Sequence, residues 1–340
     1  MAKMKANYLI DTEELKFKEI EKPEINPEQV LVKIKSVGIC GSDMHYYKHG
    51  RIGDFVVEEP LILGHEVAGE IQKVGNKVEG LESGDAVAIE PGVPCRVCEF
   101  CKTGRYHLCS DVIFMATPPV DGAFVEYVSY PADFVYKLPE NVSYEEGAML
   151  EPMVVGMNAA QKADISLGDK VIILGAGPIG LVTLQAIKAA GASDITITDV
   201  NDLRLKKAKE LGATRTINVR EEEVKDSGEY DVVLEAAGVI QTTQQTAELV
   251  KKGGRIVLVG MAPEGSFEYP VAKILAKEVT VKGIFRYANL YPRAINLVEA
   301  GQVELKSLIS DRFDFEDLPA AFKFADENAE ESIKVMVNLS

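Results

Sequence analysis

Lys170-Val171-Ile172-Ile173-Leu174-Gly175-Ala176-Gly177-Pro178-Ile179-Gly180 decides the fold of the second half of this 340-residue chain. The unbroken apolar run 170–174 reads as a parallel strand buried on both faces. The G-x-G-x-x-G spacing after it is weak alone, but here it closes a strand and opens a helix over 178–190, ended by Gly191. In that setting Gly175 permits the tight turn, Gly177 lets a pyrophosphate approach the backbone, and Gly180 lets helix and strand pack closely. Pro178 and Ile179 open the helix whose N-terminus takes the phosphates. Further strands are expected at 194–198, 231–234, 255–259 and 279–283, with a weaker one at 214–217, and with helices between most of them. This alternation predicts a doubly wound parallel sheet covered on both faces. Asp199 ends the strand that follows the fingerprint, where a carboxylate holds the adenosine ribose hydroxyls and repels a 2′-phosphate. NAD is therefore favoured over NADP. Arg204 is placed either to stack on adenine or to pair with Asp199.

The first half has a different texture. Short apolar runs at 30–34, 66–71 and 86–89 read as strands, punctuated by Gly41, Gly64, Gly75, Gly80 and Gly84. A compact, mostly β unit is expected there. Residues 286–340 return to mixed character and are expected to rejoin it, giving one domain from 1–154 and 286–340 and a nucleotide-binding domain from 155–285. Glu221-Glu222-Glu223 reads as a solvated helix start. The formal net charge of −16 argues against nucleic acid and anionic membranes as partners. No signal peptide or spanning segment is apparent, so the cytoplasm is the expected compartment.

The chemistry-bearing residues cluster in the β half. Cys40, His65 and Glu66 offer a thiolate, an imidazole and a carboxylate, three donors that suit zinc and leave one position open for catalysis. Cys95, Cys98, Cys101 and Cys109 have C-x2-C-x2-C-x7-C spacing. In a reducing compartment such crowding reads as a closed tetrahedral zinc site, with an iron–sulfur cluster as the rival reading. His107 lies inside that lobe and reads as structural.

On these residues the chain resembles the zinc-dependent medium-chain alcohol dehydrogenases. Gly64-His65-Glu66, followed by Gly69, Gly75 and Val78, is similar to their zinc signature. Within that family, five segments resemble the sorbitol (L-iditol 2-) dehydrogenases: 40–46, 51–53, 116–119, 146–148 with 151–152, and 283–287. The resemblance implies a split GroES-like catalytic domain, a Rossmann domain inserted into it, and a homotetramer. It implies Cys40, His65 and Glu66 as catalytic zinc ligands with water in the fourth place, and a structural zinc in the cysteine lobe.

Glu151 stands where many relatives carry a cysteine ligand. As a second anionic carboxylate on the metal it would make the site net negative. It is therefore expected mainly to hydrogen-bond the zinc water or the substrate, with exchange into the metal shell left open. The resemblance assigns Ser42 to accept the alcohol proton and pass it through cofactor ribose towards His45, while a zinc-bound alkoxide gives hydride to the nicotinamide. Tyr46, Thr117, Glu151, Arg286 and Tyr287 match positions of polyol contacts. Arg286 and Tyr287 either touch substrate, contact the cofactor or close the domain boundary. The cofactor site is expected to take in Val259, Gly260, Met261, Phe285 and Arg286 as well. The implied activity is a zinc- and NAD-dependent polyol 2-dehydrogenase converting sorbitol, xylitol or L-iditol to the ketose. The alternatives are a butanediol, secondary-alcohol or threonine dehydrogenase on the same scaffold. Intact ligands and an intact fingerprint argue against a catalytically silent binding or structural protein.

Overall fold

The computed structural model describes residues 2–225, 228–261 and 265–340. The chain divides into two compact units. One comprises Met1–Glu151, Tyr291–Ala300 and Leu305–Ser340; the other comprises Pro152–Leu290 and Gly301–Glu304. Arg286 and Tyr287 thus fall in the second unit, and the chain returns to the first at Tyr291. Among the described residues no helix is long and apolar enough to cross a membrane.

The second unit is a six-stranded, wholly parallel sheet. Its order is Arg215–Asn218, β4 (Asp194–Asp199), β3 (Lys170–Leu174), Tyr230–Glu235, Val250–Leu258 and Thr280–Gly283. The order reverses direction between β3 and Tyr230–Glu235, which is the switch point where doubly wound sheets bind ligands. Val171, Ile172, Ile173 and Leu174 have no exposed surface, as their unbroken apolar run requires of a central strand. Strand Val250–Leu258 starts earlier than its apolar signal, because Lys251-Lys252-Gly253-Gly254 carries no strand pattern. The register against Tyr230–Glu235 shifts there between Tyr230 and Val232. The Glu221-Glu222-Glu223 run opens no helix. It lies exposed in a turn after Arg215–Asn218, and Glu222 pairs with Arg215 at 2.9 Å.

The first unit is built on a seven-stranded sheet. Its path is Val135–Lys137, Ala86–Ile89, β2 (Glu66–Val74), β1 (Gln29–Gly38), β5 (Lys334–Asn338) and Ile309–Asp314, with Tyr127–Pro131 also pairing with β1. Val32, Ile34, Val67, Ile71, Val87 and Ile89 alternate into its core beside Phe124 and Phe322. The C-terminal strand β5 therefore lies directly beside β1, and β1 beside β2.

Just past strand Ala86–Ile89 sits a buried carboxyl. Glu90 accepts hydrogen bonds from Tyr106 (2.7 Å) and Tyr136 (2.9 Å). Burial pushes it from 4.5 up to about 7, the two tyrosine hydroxyls pull it back in part, and Glu151 and Asp133 add to the rise. A carboxyl with a raised folded pKa binds its proton more tightly folded than unfolded. Stability therefore falls as pH rises from about 4.5 to 7, by on the order of 3 kcal/mol for such a shift, and stays lower above that range. Urea midpoints measured across this range are expected to fall less steeply for Glu90→Gln than for the natural protein. Parallel curves would show that Glu90 does not titrate there.

Candidate active site

Helix α1 (Gly41–His49) begins immediately after Cys40, whose backbone is extended. Asp43 lies in its first turn and has no exposed surface. One carboxylate oxygen accepts from the Cys40 N–H at 3.0 Å and the other from the Gly64 N–H at 2.9 Å. The second oxygen also lies 3.6 Å from His65 Nδ1. Asp43 thus ties the two ligand-bearing segments together and orients the imidazole, the carboxylate–histidine arrangement of metal sites. Gly64 has φ +91°, and a side chain there would collide with Phe124 and Val37. The Cys40 sulfur lies close enough to act on the His65 imidazole. Burial opposes the imidazolium, yet Asp43 and Cys40 outweigh it and raise His65 well above its ordinary value. A metal ligand must be neutral, so a divalent ion at the free nitrogen would release that proton.

Glu66 takes a different place. Its two oxygens accept from Lys334 Nζ at 2.6 and 2.7 Å, and the same ammonium donates to Ile39 O at 3.1 Å. Burial lowers the Lys334 pKa, but Glu66 and Cys40, with Glu151 behind them, raise it overall. Cys40, Glu66 and the buried Glu151 thus lie around one cation, with His65 beside Cys40. The set of sulfur, nitrogen and oxygen donors fits a divalent zinc. With both Glu66 oxygens on Lys334, the three proposed ligands do not form a closed cluster like that of the cysteine lobe.

Ser42 and His45 lie on α1 three residues apart, which places them as neighbours on the helix surface. Ser42 is partly exposed and His45 exposed. Burial, His49 and Lys48 lower the His45 pKa, and the two histidine rings are 5.8 Å apart. Tyr46 is buried and Thr117 partly so. Phe114 packs on the His65 ring at 5.8 Å, which draws the 114–117 segment to the metal residues. Sequence reasoning did not assign roles to Asp43, Phe114 or Lys334.

In the second unit, Gly175 has φ +104°, and a side chain there would strike the Ala236–Ala237 backbone. A side chain on Gly180 would strike the Gly175 carbonyl, whereas one on Gly177 would meet nothing. Space is therefore open above the N-terminus of α2 (Pro178–Ala189), where a pyrophosphate would lie. The residues fit a dinucleotide. Asp199 accepts from the Ala176, Val200 and Asn201 N–H groups at 2.7–3.0 Å, fixing the fingerprint turn to the end of β4. Arg204 lies three residues beyond Asn201, whose side chain accepts from the Arg204 N–H.

Val259 and Gly260 both donate to Glu235 O, at the same sheet edge as Gly175, and Met261 next to them is half exposed. Glu235 is buried and accepts from Ala237, Gly238 and Thr242, a further residue unassigned from sequence. The Arg286 guanidinium lies over the Phe285 ring, and the Arg286 carbonyl accepts from Asn158 at 2.7 Å. Tyr287 is buried.

The four lobe sulfurs lie within 4.8 Å of one another. Cys98 and Cys101 are 3.4 Å apart and Cys95 and Cys101 3.9 Å. Zinc–sulfur bonds of about 2.3 Å in a tetrahedron imply sulfur separations of about 3.8 Å, so the lobe fits a zinc ion. The N–H groups of Val97 and Cys98 lower the Cys95 thiol, while burial and Cys98 raise Cys101. Thiols packed this closely share protons until a cation replaces them.

Comparison with known proteins gives two family matches. Residues 26–140 match the alcohol dehydrogenase GroES-like domain, and residues 178–300 match the zinc-binding dehydrogenase domain. The chain is 46% identical to a sorbitol dehydrogenase of Bacillus subtilis (strain 168), covering 98% of this chain and 97% of that one. Its structure matches an Escherichia coli oxidoreductase/dehydrogenase of unknown specificity with a TM-score of 0.95, at 41% identity over the full length of both chains. It matches 2R,3R-butanediol dehydrogenase from Bacillus subtilis with a TM-score of 0.89, at 32% identity over 98% of this chain and 99% of that one.

Cys98→Ser removes one of four thiolates from a closed shell. The variant is expected to lose about one zinc per subunit and to melt at lower temperature. Elemental analysis beside a melting curve checks this; iron in the natural protein, or an unchanged zinc content in the variant, would contradict it.

Proposed function

The chain belongs to the zinc-dependent medium-chain alcohol dehydrogenase family, and within it we propose an NAD-linked polyol 2-dehydrogenase that oxidises sorbitol, xylitol or L-iditol to the ketose. The observation that carries this reading is the near-full-length similarity to a sorbitol dehydrogenase. The matched span includes Cys40, His65, Glu66 and Glu151. A butanediol dehydrogenase is the second reading, favoured only by the more distant structural match.

Cys40, His65 and Glu66 would hold the catalytic zinc, and the N-terminus of α2 with Asp199 would hold NAD. When bound, these supply a Lewis acid that lowers the pKa of an alcohol and a carbon that accepts hydride. The chain's own residues do the rest. Asp43 holds His65 in one orientation. Ser42 accepts the alcohol proton and passes it towards His45 at the exposed surface of α1. The depressed pKa of His45 keeps it neutral and able to accept a proton near pH 7. Glu151 accepts a hydrogen bond from the reacting hydroxyl or from a water beside it. Tyr46 and Thr117 meet other hydroxyls, since each buried hydroxyl left unpaired costs roughly 1–3 kcal/mol. Asp199 faces the adenosine ribose and disfavours a 2′-phosphate.

A reducing compartment, the cytoplasm, suits four closely packed thiols. A homotetramer is supported by the open edge strand Thr280–Gly283, exposed at every residue, and by exposed Val271, Leu275 and Phe285 in the flanking segments.

The test is NAD reduction over a panel of polyols, diols and simple alcohols, before and after chelation. Sorbitol, xylitol or L-iditol should lead the panel, NAD should outperform NADP, and chelation should abolish turnover. Asp199→Ala should narrow the NAD preference. Glu151→Gln should lower turnover on the polyol while zinc content stays near normal. A diol or simple alcohol leading the panel would overturn the polyol reading, and equal use of NADP would overturn the role of Asp199.

A further inference from the structure

We infer that Lys334 is a positioning residue of the metal centre: it holds the Glu66 carboxylate and competes with the metal for it. The inference rests on the proposal that Glu66 is a zinc ligand. The strand order carries it. Glu66 opens β2, Gly38 faces it on β1, and Gly38 in turn faces Met336 on β5. Lys334 is two residues before Met336 and on the same face of that strand. Neighbouring strands are about 4.8 Å apart, so Glu66 and Lys334 belong to strands roughly 10 Å apart.

They meet because position 38 has no side chain. A Cβ there would collide with Glu66 Oε2. The carboxylate lies over Gly38 and reaches the ammonium beyond it. The Lys334 and Glu66 side chains are only 3% and 1% exposed, so water screens neither charge. All three ammonium protons are committed: two to Glu66 and one to Ile39 O.

A divalent ion taking a Glu66 oxygen must share the carboxylate with this ammonium or take it away. Lys334 also faces Cys40 and Glu151, and offsets one of the negative charges gathered there. Without Lys334 and without metal, Glu66 is a buried carboxylate with no cation, a strongly destabilising state. With metal, the zinc itself supplies the positive charge. Removing the lysine therefore harms the metal-free protein more than the zinc-loaded one, and zinc binding tightens by the difference.

The experiment compares the natural protein with Lys334→Met, Lys334→Arg, Glu66→Gln and the Lys334→Met/Glu66→Gln pair. Each is prepared with zinc and titrated with chelators of graded strength. The step that disappears in Cys40→Ser identifies this site rather than the cysteine lobe. Melting temperatures are recorded with and without zinc. Lys334→Met is expected to bind zinc about 10–100-fold more tightly, the span over which outer-shell partners shift metal affinity, and to widen the melting gap between the two forms. Lys334→Arg keeps a cation and should stay near the natural values. The effect of Lys334→Met should shrink in the Glu66→Gln background. Unchanged or weaker zinc binding in Lys334→Met, with zinc lost from Glu66→Gln, overturns this inference and leaves Glu66 as a ligand. Undiminished zinc in Glu66→Gln overturns the ligand reading itself.

Discussion

Asp43 is the group on which the metal residues depend. Cys40 precedes a helix and His65 precedes a strand; the β1–β2 ladder ends just short of them, at the pair Gly38–Glu66, and does not itself fix either side chain. The buried Asp43 carboxylate joins them through the N–H groups of Cys40 and Gly64 and stands beside the His65 ring. Both N–H groups would otherwise be left unsatisfied, at about 1–3 kcal/mol each if buried. The same carboxylate turns His65 Nδ1 towards Asp43. Folding of the loop and orientation of Cys40 and His65 are one event here, whereas Glu66 is held on Lys334.

The second constraint is the accumulation of negative charge. Cys40, Asp43, Glu66 and Glu151 all lie in or beside one small volume of the first unit. Backbone donors satisfy Asp43, whereas Glu66 needs a cation, and β5 delivers Lys334. The C-terminal segment thus returns to the first unit for a chemical reason as well as a packing one. It completes the charge balance of a site whose other members are contributed before residue 152. With Lys334 counted, a carboxylate at position 151 is less costly than the ligands alone suggest.

The sequence was most legible where one residue type has one use. The run Lys170–Leu174 had to be central because nothing in it tolerates water, and the glycines after it each meet the geometry expected of them. The four cysteines were legible because thiols at that spacing have few other roles. The Glu221–Glu223 run misled because acidic residues favour helix starts yet serve equally well in a solvated turn. Lys334 was hidden for a related reason. In Ile333-Lys334-Val335-Met336-Val337 it occupies the alternate position that normally faces water. Only the pairing of β5 with β1 shows that this face is covered. The visible signal would have been Met336 on the same face, an apolar residue out of place on a solvated surface. Asp43 falls inside the 40–46 segment, but its reach to Gly64, 21 residues away, is a tertiary fact.

The central claim is that Cys40, His65 and Glu66 converge on one metal ion, with Glu66 shared between that ion and Lys334. A crystal structure of the zinc-loaded protein tests it most directly. The account predicts zinc bonded to Cys40 Sγ, to the His65 nitrogen away from Asp43, and to one Glu66 oxygen at about 2.0–2.2 Å. The other Glu66 oxygen should remain on the Lys334 ammonium. Zinc ligated by Glu151 in place of Glu66, with both Glu66 oxygens still on Lys334, would contradict it.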